Sequence, residues 1–240
     1  SESDLSTSDR LKSTSAAMEM VQNKIGVNIE GLEPETITMA DAAIESMSTI
    51  VENEKSLSAL LENLLQNPSS YMFKHCQLIT YLCFHAIDNM SWGSDEQKSK
   101  IAFVSFYHDI ALESDDYVKI DSEQELIEAR YEKQIVERIK NHAINAAKLI
   151  ASYPKAPIGV ETIIKQHHGS RSGIGFARHY GDNISPLAIV FIVCEALASK
   201  ILIDQVRPPE IRVIIERMHY KFTSEKYSAV LKALSSLKLS

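Results

Sequence analysis

The apolar residues of this chain recur at helical spacing along most of its length. Within residues 38–66 they return every three or four positions, which is typical of one face of a helix. Pro68 ends this stretch, because proline lacks a backbone donor and interrupts a helix. Further helices are predicted at residues 71–89, 94–110, 123–151, 158–168 and 187–203, and two more after residues 208–209 and 223–224. No segment alternates between apolar and polar positions as a half-buried strand does, so the sequence predicts an all-α fold.

The first quarter of the chain carries helical patterns but no cluster of chemically reactive residues. A helix is predicted at residues 11–25, followed by a glycine-containing connector in which a short strand at 27–29 is an open alternative. The long apolar stripe after it is interpreted as a packing face, either against the next domain or against a second copy of the chain. We therefore predict an N-terminal helical region for regulation or dimerisation at residues 1–67 and a functional domain at residues 68–240.

Composition limits the classes of function. The 240 residues can form one large domain, alone or with a smaller one. The formal net charge of −7 gives no reason to expect a nucleic acid polymer or an anionic membrane surface as partner. The three cysteines stand in apolar runs and are interpreted as buried free thiols of a reducing compartment. The first residues are too polar for a signal peptide, and no apolar run reaches the roughly 18 residues of a membrane span, so we expect a cytoplasmic protein without membrane insertion.

Two stretches contain the strongest candidate metal ligands. His108-Asp109 closes one apolar run, and His167-His168 closes another, immediately before a glycine-rich loop. Neutral imidazole and carboxylate are usual ligands of divalent iron, manganese and zinc. A buried aspartate also needs a compensating positive charge. We therefore predict that the fold brings these two stretches together around metal, whereas a lone histidine in a helix is more often a polar core or surface residue.

The order of the histidines resembles the HD superfamily of metal-dependent phosphohydrolases. Separate apolar helices contain or end with these residues in the order His75, His108-Asp109, His142 and His167-His168. In the HD-GYP family the paired histidines are followed by a glutamate, a short polar stretch and then Gly-x-Gly-Tyr-Pro. Here the corresponding residues are Gly173-Ile174-Gly175-Phe176-Ala177. The two glycines match in register, and phenylalanine and alanine replace tyrosine and proline.

The resemblance continues into the helix after this loop. The family places an aspartate ligand there, in the pattern Leu-Ala-Arg-Ile-x-x-Val-Ala-Asp. Residues 187–195 read LAIVFIVCE, so Glu195 takes the position of that aspartate. A buried acidic residue in an apolar helix requires a cationic partner. The resemblance covers about residues 69–233, and every protein ligand of the two-metal site of the family has a counterpart in this chain.

The resemblance implies an HD-domain helical bundle with a two-metal site. One ion would be held by His75, His108, Asp109 and Glu195, and the other by His142, His167, His168 and Asp109. Histidine-rich ligation suits iron or manganese, and two-metal sites place their ions about 3.5–4 Å apart. Such a pair clamps a phosphodiester and lowers the pKa of a bound water, so Asp109, the bridging ligand, is the expected catalytic residue. The implied activity is hydrolysis of cyclic di-GMP to the linear dinucleotide or to GMP.

Departures from the family pattern bear on metal number and substrate binding. The family follows its His-Asp pair with x-Gly-Lys, but Leu112 stands at the position of the lysine. Some members support a third metal with a glutamate four residues before the first histidine. Tyr71 stands there, so two metals are expected. The expected substrate contacts come from the loop, at Arg171, Gly173, Gly175 and Phe176, while Arg178 and Lys200 are interpreted as solvated surface charges.

Two alternatives to the phosphodiesterase are kept open. One is a catalytically weak or inactive signalling or sensing module, and the other is an HD hydrolase of a different nucleotide. The missing lysine, tyrosine and proline favour the sensing module, whereas the complete set of seven ligands favours the enzyme. The expected partners are a cyclic dinucleotide, a signalling protein, and a second copy of the chain bound through the N-terminal helices.

Overall fold

The all-α prediction is confirmed. A computed structural model of the chain describes residues 6–27, 33–181 and 183–239, and every regular element within them is a helix. The helices are α1 (Thr7–Val27), α2 (Pro34–Asn53), α3 (Leu57–Gln66), α4 (Tyr71–Asp88), α5 (Asp95–Tyr107), α6 (Asp115–Val118), α7 (Glu123–Glu128), α8 (Lys133–Ala151), α9 (Val160–Gln166), α10 (Pro186–Ile203), α11 (Pro208–Met218) and α12 (Glu225–Leu234). The short strand considered at residues 27–29 lies outside the described residues, except for Val27, which ends α1.

Helices α4 and α10 form the centre of the bundle because both are apolar on nearly every side. They pack against each other, α4 also contacts α2, α5 and α12, and α10 also contacts α9 and α12. A helix that is apolar around its whole circumference must be covered by neighbours. The side chains of Phe73, Leu78, Phe191 and Leu197 have no exposed surface. Each side chain of this size contributes about 1.5–3 kcal/mol when fully buried, so this pair of helices anchors the fold.

Serine side chains fix the starts of three helices where the sequence predicts them. Ser94, Ser122 and Ser185 each accept a hydrogen bond from the backbone N–H three residues further on. Such a cap satisfies a donor that the first helical turn leaves free, and typically stabilises by about 1 kcal/mol. Pro186 then occupies the first turn of α10, where its missing N–H costs no helical hydrogen bond. The predicted starts at these three serines are confirmed.

Two stretches that were predicted as continuous helical segments are divided in the structure. Residues 38–66 fall into α2 and α3, because the backbone turns extended at Glu54 and Ser56 caps a new helix. Residues 123–151 fall into α7 and α8, because Arg130 adopts a left-handed backbone with φ of 54°. Neither break contains proline or glycine, so no breaker residue signals it in the sequence.

The N-terminal region packs directly against the rest of the bundle. Buried apolar residues from both parts belong to one continuous core. Gln77 in α4 donates a hydrogen bond of 3.0 Å to the carbonyl of Met47 in α2. The first backbone N–H groups of α3, at Leu57 and Ser58, donate to carbonyls of the C-terminal segment. The division of the chain after residue 67 stays a prediction, and the contacts make the N-terminal helices part of the packed structure.

Helix α10 combines membrane-like composition with a buried position. Among the described residues, α10 is the one helix whose length and apolar composition would allow it to cross a membrane. The expectation that no apolar run reaches about 18 residues therefore does not hold for this helix. However, 72% of that stretch is buried inside the protein. It also carries Glu195 and Lys200, which are costly in a bilayer. The central helix of a packed bundle has this same composition.

The start of α4 depends on a carboxylate from α6. The backbone N–H groups of Tyr71 and Met72 donate hydrogen bonds of 2.7 and 3.1 Å to the two side-chain oxygens of Asp115. A negative charge at a helix N-terminus satisfies free donors and interacts favourably with the helix dipole. Because α4 also carries His75, this contact fixes one wall of the functional site.

We predict that Asp115→Ala lowers the free energy of unfolding by about 1–2 kcal/mol, because two helix N–H groups lose their partner. The neighbouring Asp116→Ala is the matched control, since Asp116 only pairs with Lys119 at an exposed site. Its effect should stay below about 0.5 kcal/mol. Urea denaturation followed by circular dichroism measures both values, and equal losses in the two variants would contradict the assigned role of Asp115.

Candidate metal centre

All seven predicted metal ligands lie in one region, where five helices deliver them. His75 comes from α4, His142 from α8 and Glu195 from α10, all within regular helix. The two pairs, His108-Asp109 and His167-His168, stand where α5 and α9 end. All seven are buried except His168, which is half-buried. The ligand candidates therefore approach a common centre from several directions.

The seven side chains form two groups that share Asp109. The first group consists of Asp109, His142, His167 and His168. The second consists of His75, His108, Asp109 and Glu195. Within each group the candidate ligand atoms lie within 4.8 Å of one another. One oxygen of Asp109 lies 3.1 Å from Nε2 of His108, in the second group. Its other oxygen lies 3.2 Å from Nε2 of His142 and 3.7 Å from Nε2 of His167, in the first. Each carboxylate oxygen of Asp109 thus faces a different group.

Backbone carbonyls orient three of the imidazole rings. In each case Nδ1 lies within hydrogen-bond distance of the carbonyl three residues earlier: His108 at 3.0 Å from Ser105, His142 at 2.5 Å from Ile139, and His167 at 2.6 Å from Ile164. A carbonyl only accepts hydrogen bonds, so Nδ1 must carry the proton. In a neutral ring, Nε2 then presents a lone pair, which is the arrangement found in metal-ligating histidines.

The lone pairs of these rings converge. Nε2 of His142 lies 3.0 Å from Nε2 of His167 and 3.2 Å from Nε2 of His168. Two unprotonated nitrogens cannot hydrogen-bond each other, and a carboxylate oxygen of Asp109 adds a further acceptor. Two nitrogens that bind one ion at about 2.1 Å and at a right angle are about 3.0 Å apart, so the observed spacing fits ligation. This group of acceptors needs a positive charge among them.

His75 is a second sign that the cluster is suited to a cation. Both of its ring nitrogens are buried, and neither has a hydrogen-bond partner among the described residues. Its ring stacks on that of Tyr71, with 5.5 Å between centroids. Burial lowers the pKa of His75 to about 3, and the neighbouring His108 adds to the effect, so the imidazole is neutral. A buried polar group without partners costs about 1–3 kcal/mol, which coordination of a metal would remove.

The two carboxylates of the cluster have opposite tendencies to ionise. Burial raises the pKa of Asp109, but His108 and His142, when they also carry a proton on Nε2, outweigh burial and hold that pKa well below its usual range. Burial raises the pKa of Glu195 well above its usual range, and the carboxylates of Asp121 and Asp109 add to the rise. Asp109 is therefore the more readily ionised ligand, while ionised Glu195 requires a nearby cation. The buried His, Asp and Glu side chains together can bind metal.

Asp121 is a candidate ligand that the sequence interpretation missed. It stands between α6 and α7, and its carboxylate forms a third group with His168 and Glu195, again within 4.8 Å. Burial raises its pKa to about 7, and Glu125 adds to the rise. In the sequence Asp121 is one of several acidic residues in a polar stretch, and no spacing distinguishes it. The position where a third-metal glutamate was considered holds Tyr71, whose hydroxyl is buried without a hydrogen-bond partner among the described residues.

The loop after the paired histidines packs onto the cluster. The ring of Phe176 lies against His168, with 4.6 Å between centroids. The N–H of Gly175 donates to the carbonyl of Lys140 at 2.7 Å. Gly173 has φ of 74°, and an added Cβ would lie only 3.0 Å from the carbonyl oxygen of Lys165, so a side chain is excluded there. These residues determine the shape of the loop, and their contact with substrate stays a prediction.

The other predicted loop contact, Arg171, is exposed. It has no ion-pair partner in the part of the chain that the structure describes, and no hydrogen bond holds its side chain there. Lys200, interpreted as a surface charge, pairs with Asp204 at 2.5 Å. The structure therefore fixes neither side chain toward the metal ligands, and a role for Arg171 in substrate binding stays a prediction.

Comparison with known proteins adds no further assignment. No protein family, curated protein or solved structure matches this chain.

We predict two divalent ions per chain in protein purified without chelator. His75→Ala and His142→Ala should each lose about one ion, because each removes a ligand from a different group, and Asp109→Ala should lose more. His85→Ala is the control, because His85 belongs to neither group. Its Nε2 lies within hydrogen-bond distance of the carbonyl of Ala233 and the hydroxyl of Ser236. Elemental analysis of folded variants measures these contents. Wild-type protein without metal, or a loss in His85→Ala equal to that in His142→Ala, would contradict the assignment.

Proposed function

We propose that this protein is a metal-dependent phosphodiesterase of the HD-GYP type, acting on cyclic di-GMP. The observation that supports this most is the convergence of all seven residues implied by the resemblance into two groups that share Asp109. A single carboxylate shared between two clusters of imidazoles is suited to a two-metal site. The buried orphan nitrogens of His75 and the facing nitrogens of His142 and His167 fit the same interpretation.

The residues of the chain would hold and orient the metals. Two divalent ions, iron or manganese, would neutralise charge on the phosphodiester and lower the pKa of a water. Backbone carbonyls keep His108, His142 and His167 in the tautomer that presents Nε2, so little reorganisation is needed on binding. The ring of Phe176 packs against that of His168 at a tilt of 59°, which helps to hold the imidazole in place. Asp109, ionised and enclosed, supplies the negative charge between the two groups.

A sensing module is the second candidate, supported by the surroundings of Leu112. Leu112 stands at the position of the family lysine, is 5% exposed, and lines a cavity that also contains Glu19, Glu113 and Asp115. This position therefore provides no cation for a phosphate. A metal-containing protein with weak substrate contacts would bind a cyclic dinucleotide without rapid turnover. A hydrolase of another nucleotide would use the same ligands and differ in the surrounding cavity.

We predict that metal-loaded protein converts cyclic di-GMP to the linear dinucleotide or to GMP, as measured by chromatography. Asp109→Ala should reduce the rate at least about 100-fold, because both groups lose their shared ligand. Asp88→Ala, at an exposed ion pair with Lys98, is the matched control and should retain activity.

The outcomes of this assay separate the three candidates. Binding of cyclic di-GMP without hydrolysis would support the sensing module. Hydrolysis of other nucleotides with no action on cyclic di-GMP would support the alternative hydrolase. Full activity in folded Asp109→Ala would contradict a role for the cluster in catalysis.

A further inference from the structure

A polar cavity of about 380 Å³ adjoins the metal-ligand cluster. It is formed where the loop before α10 meets the connection between α11 and α12. Its lining includes Asp121, Arg178, His179, Tyr180, Lys221 and Thr223. The chain has a net charge of −7, so a cavity with an arginine and a lysine beside the ligand cluster departs from the average surface.

Asp121 joins this cavity to the candidate metal centre. It lines the cavity, and its carboxylate belongs to the group that contains His168 and Glu195. Burial raises the pKa of Asp121 and of Glu195, and the positive charge of Lys221 partly offsets both rises. Lys221 and Asp121 line the same cavity. A molecule in the cavity would lie next to the metal ligands.

Lys221 is held by aromatic rings and has no carboxylate partner. Its ammonium lies 5.4 Å from the ring centroids of both Tyr180 and Phe222. Phe222 is fully buried and stacks against Tyr227, so the support for the lysine is fixed by the core. Within residues 6–27, 33–181 and 183–239, Lys221 forms no ion pair, in contrast to Lys98 and Lys140. Its charge is therefore available to a ligand.

Arg178 and His179 add donors to the lining of the same cavity. Both side chains are exposed, and neither has an ion-pair partner in the described part of the chain. An arginine presents a fork of N–H groups suited to phosphate oxygens, and lysine is a point charge for the same group. The hydroxyl of Thr223 can donate to the same oxygens. Among the lining residues the one carboxylate is that of Asp121, which also belongs to the group with His168 and Glu195.

We propose that this cavity is a phosphate subsite, in which Lys221 and Arg178 bind a second phosphate group of the substrate while the metal centre holds the phosphate that is cleaved. The assignment of the cleaved phosphate rests on the proposed function. The substrate class is a nucleotide with two separate phosphate groups. Lys221, between α11 and α12, and Arg178, in the loop before α10, supply positive charge for phosphate. In the family this charge comes from the lysine whose position Leu112 occupies here.

The first experiment tests the subsite without catalysis. The 240-residue chain is treated with chelator, and its helical content is checked by circular dichroism. Inorganic phosphate is then titrated while amide chemical shifts are recorded. Saturable shifts are expected around Arg178 and Lys221. Lys221→Gln should weaken binding about 10-fold, as the loss of one charge-assisted contact implies, and Arg178→Gln should act similarly. Lys148→Gln, at an exposed lysine without an ion pair among the described residues, should leave binding unchanged.

The second experiment uses metal-loaded protein and two substrates. Lys221→Gln should raise the KM for cyclic di-GMP about 10-fold with kcat changed less than about 2-fold, because the contact serves binding. With bis(4-nitrophenyl) phosphate, which has a single phosphate, both constants should stay unchanged.

The results of the two experiments distinguish failure of the phosphate subsite from failure of the proposed function. Absence of phosphate binding, or equal binding in a folded variant lacking both cations, overturns the subsite whatever the hydrolysis assay gives. An unchanged KM for cyclic di-GMP in Lys221→Gln also overturns it. Phosphate binding that depends on Lys221, in a protein that hydrolyses no phosphodiester, retains the subsite and rejects the proposed function.

Discussion

The constraint on which this structure depends is the burial of several hydrogen-bond acceptors around Asp109 without donors between them. Carbonyls of the preceding helical turn hold the Nδ1 protons of His108, His142 and His167, so Nε2 of each ring faces inward. Nitrogen lone pairs and carboxylate oxygens then lie 3.0–3.9 Å apart in a buried space. Positive charge inside this arrangement would stabilise it, and two divalent ions would supply that charge.

The helical bundle is arranged to support this cluster. Helices α4 and α10 are apolar around most of their circumference, and each contributes one polar ligand, His75 and Glu195, to the same interior region. Burial of their other residues supplies the stabilisation that offsets the desolvation of these two side chains. The remaining ligands come from α8 and from the ends of α5 and α9. The two central apolar helices therefore each carry one ligand of the buried polar cluster.

Much of the fold and site could be predicted from sequence because the physical signals were local. Apolar periodicity predicts helices, and the His-Asp and His-His pairs stand at helix ends where the backbone can redirect them. Asp121 and Lys221 could not be found in this way. Their positions at the cavity beside the cluster arise from the packing of distant segments, and each is one charged residue among similar neighbours. The break near Arg130 was missed because a left-handed non-glycine residue has no clear sequence signal.

The most direct test of the account is anomalous X-ray diffraction from crystals of protein purified without chelator, recorded at the absorption edges of iron and manganese. The account predicts two metal peaks. One should lie among His142, His167 and His168, the other among His75, His108 and Glu195, and the carboxylate of Asp109 should contact both. No peak, a single peak, or ions held by other side chains would contradict the central claim that these buried acceptors form a two-metal site.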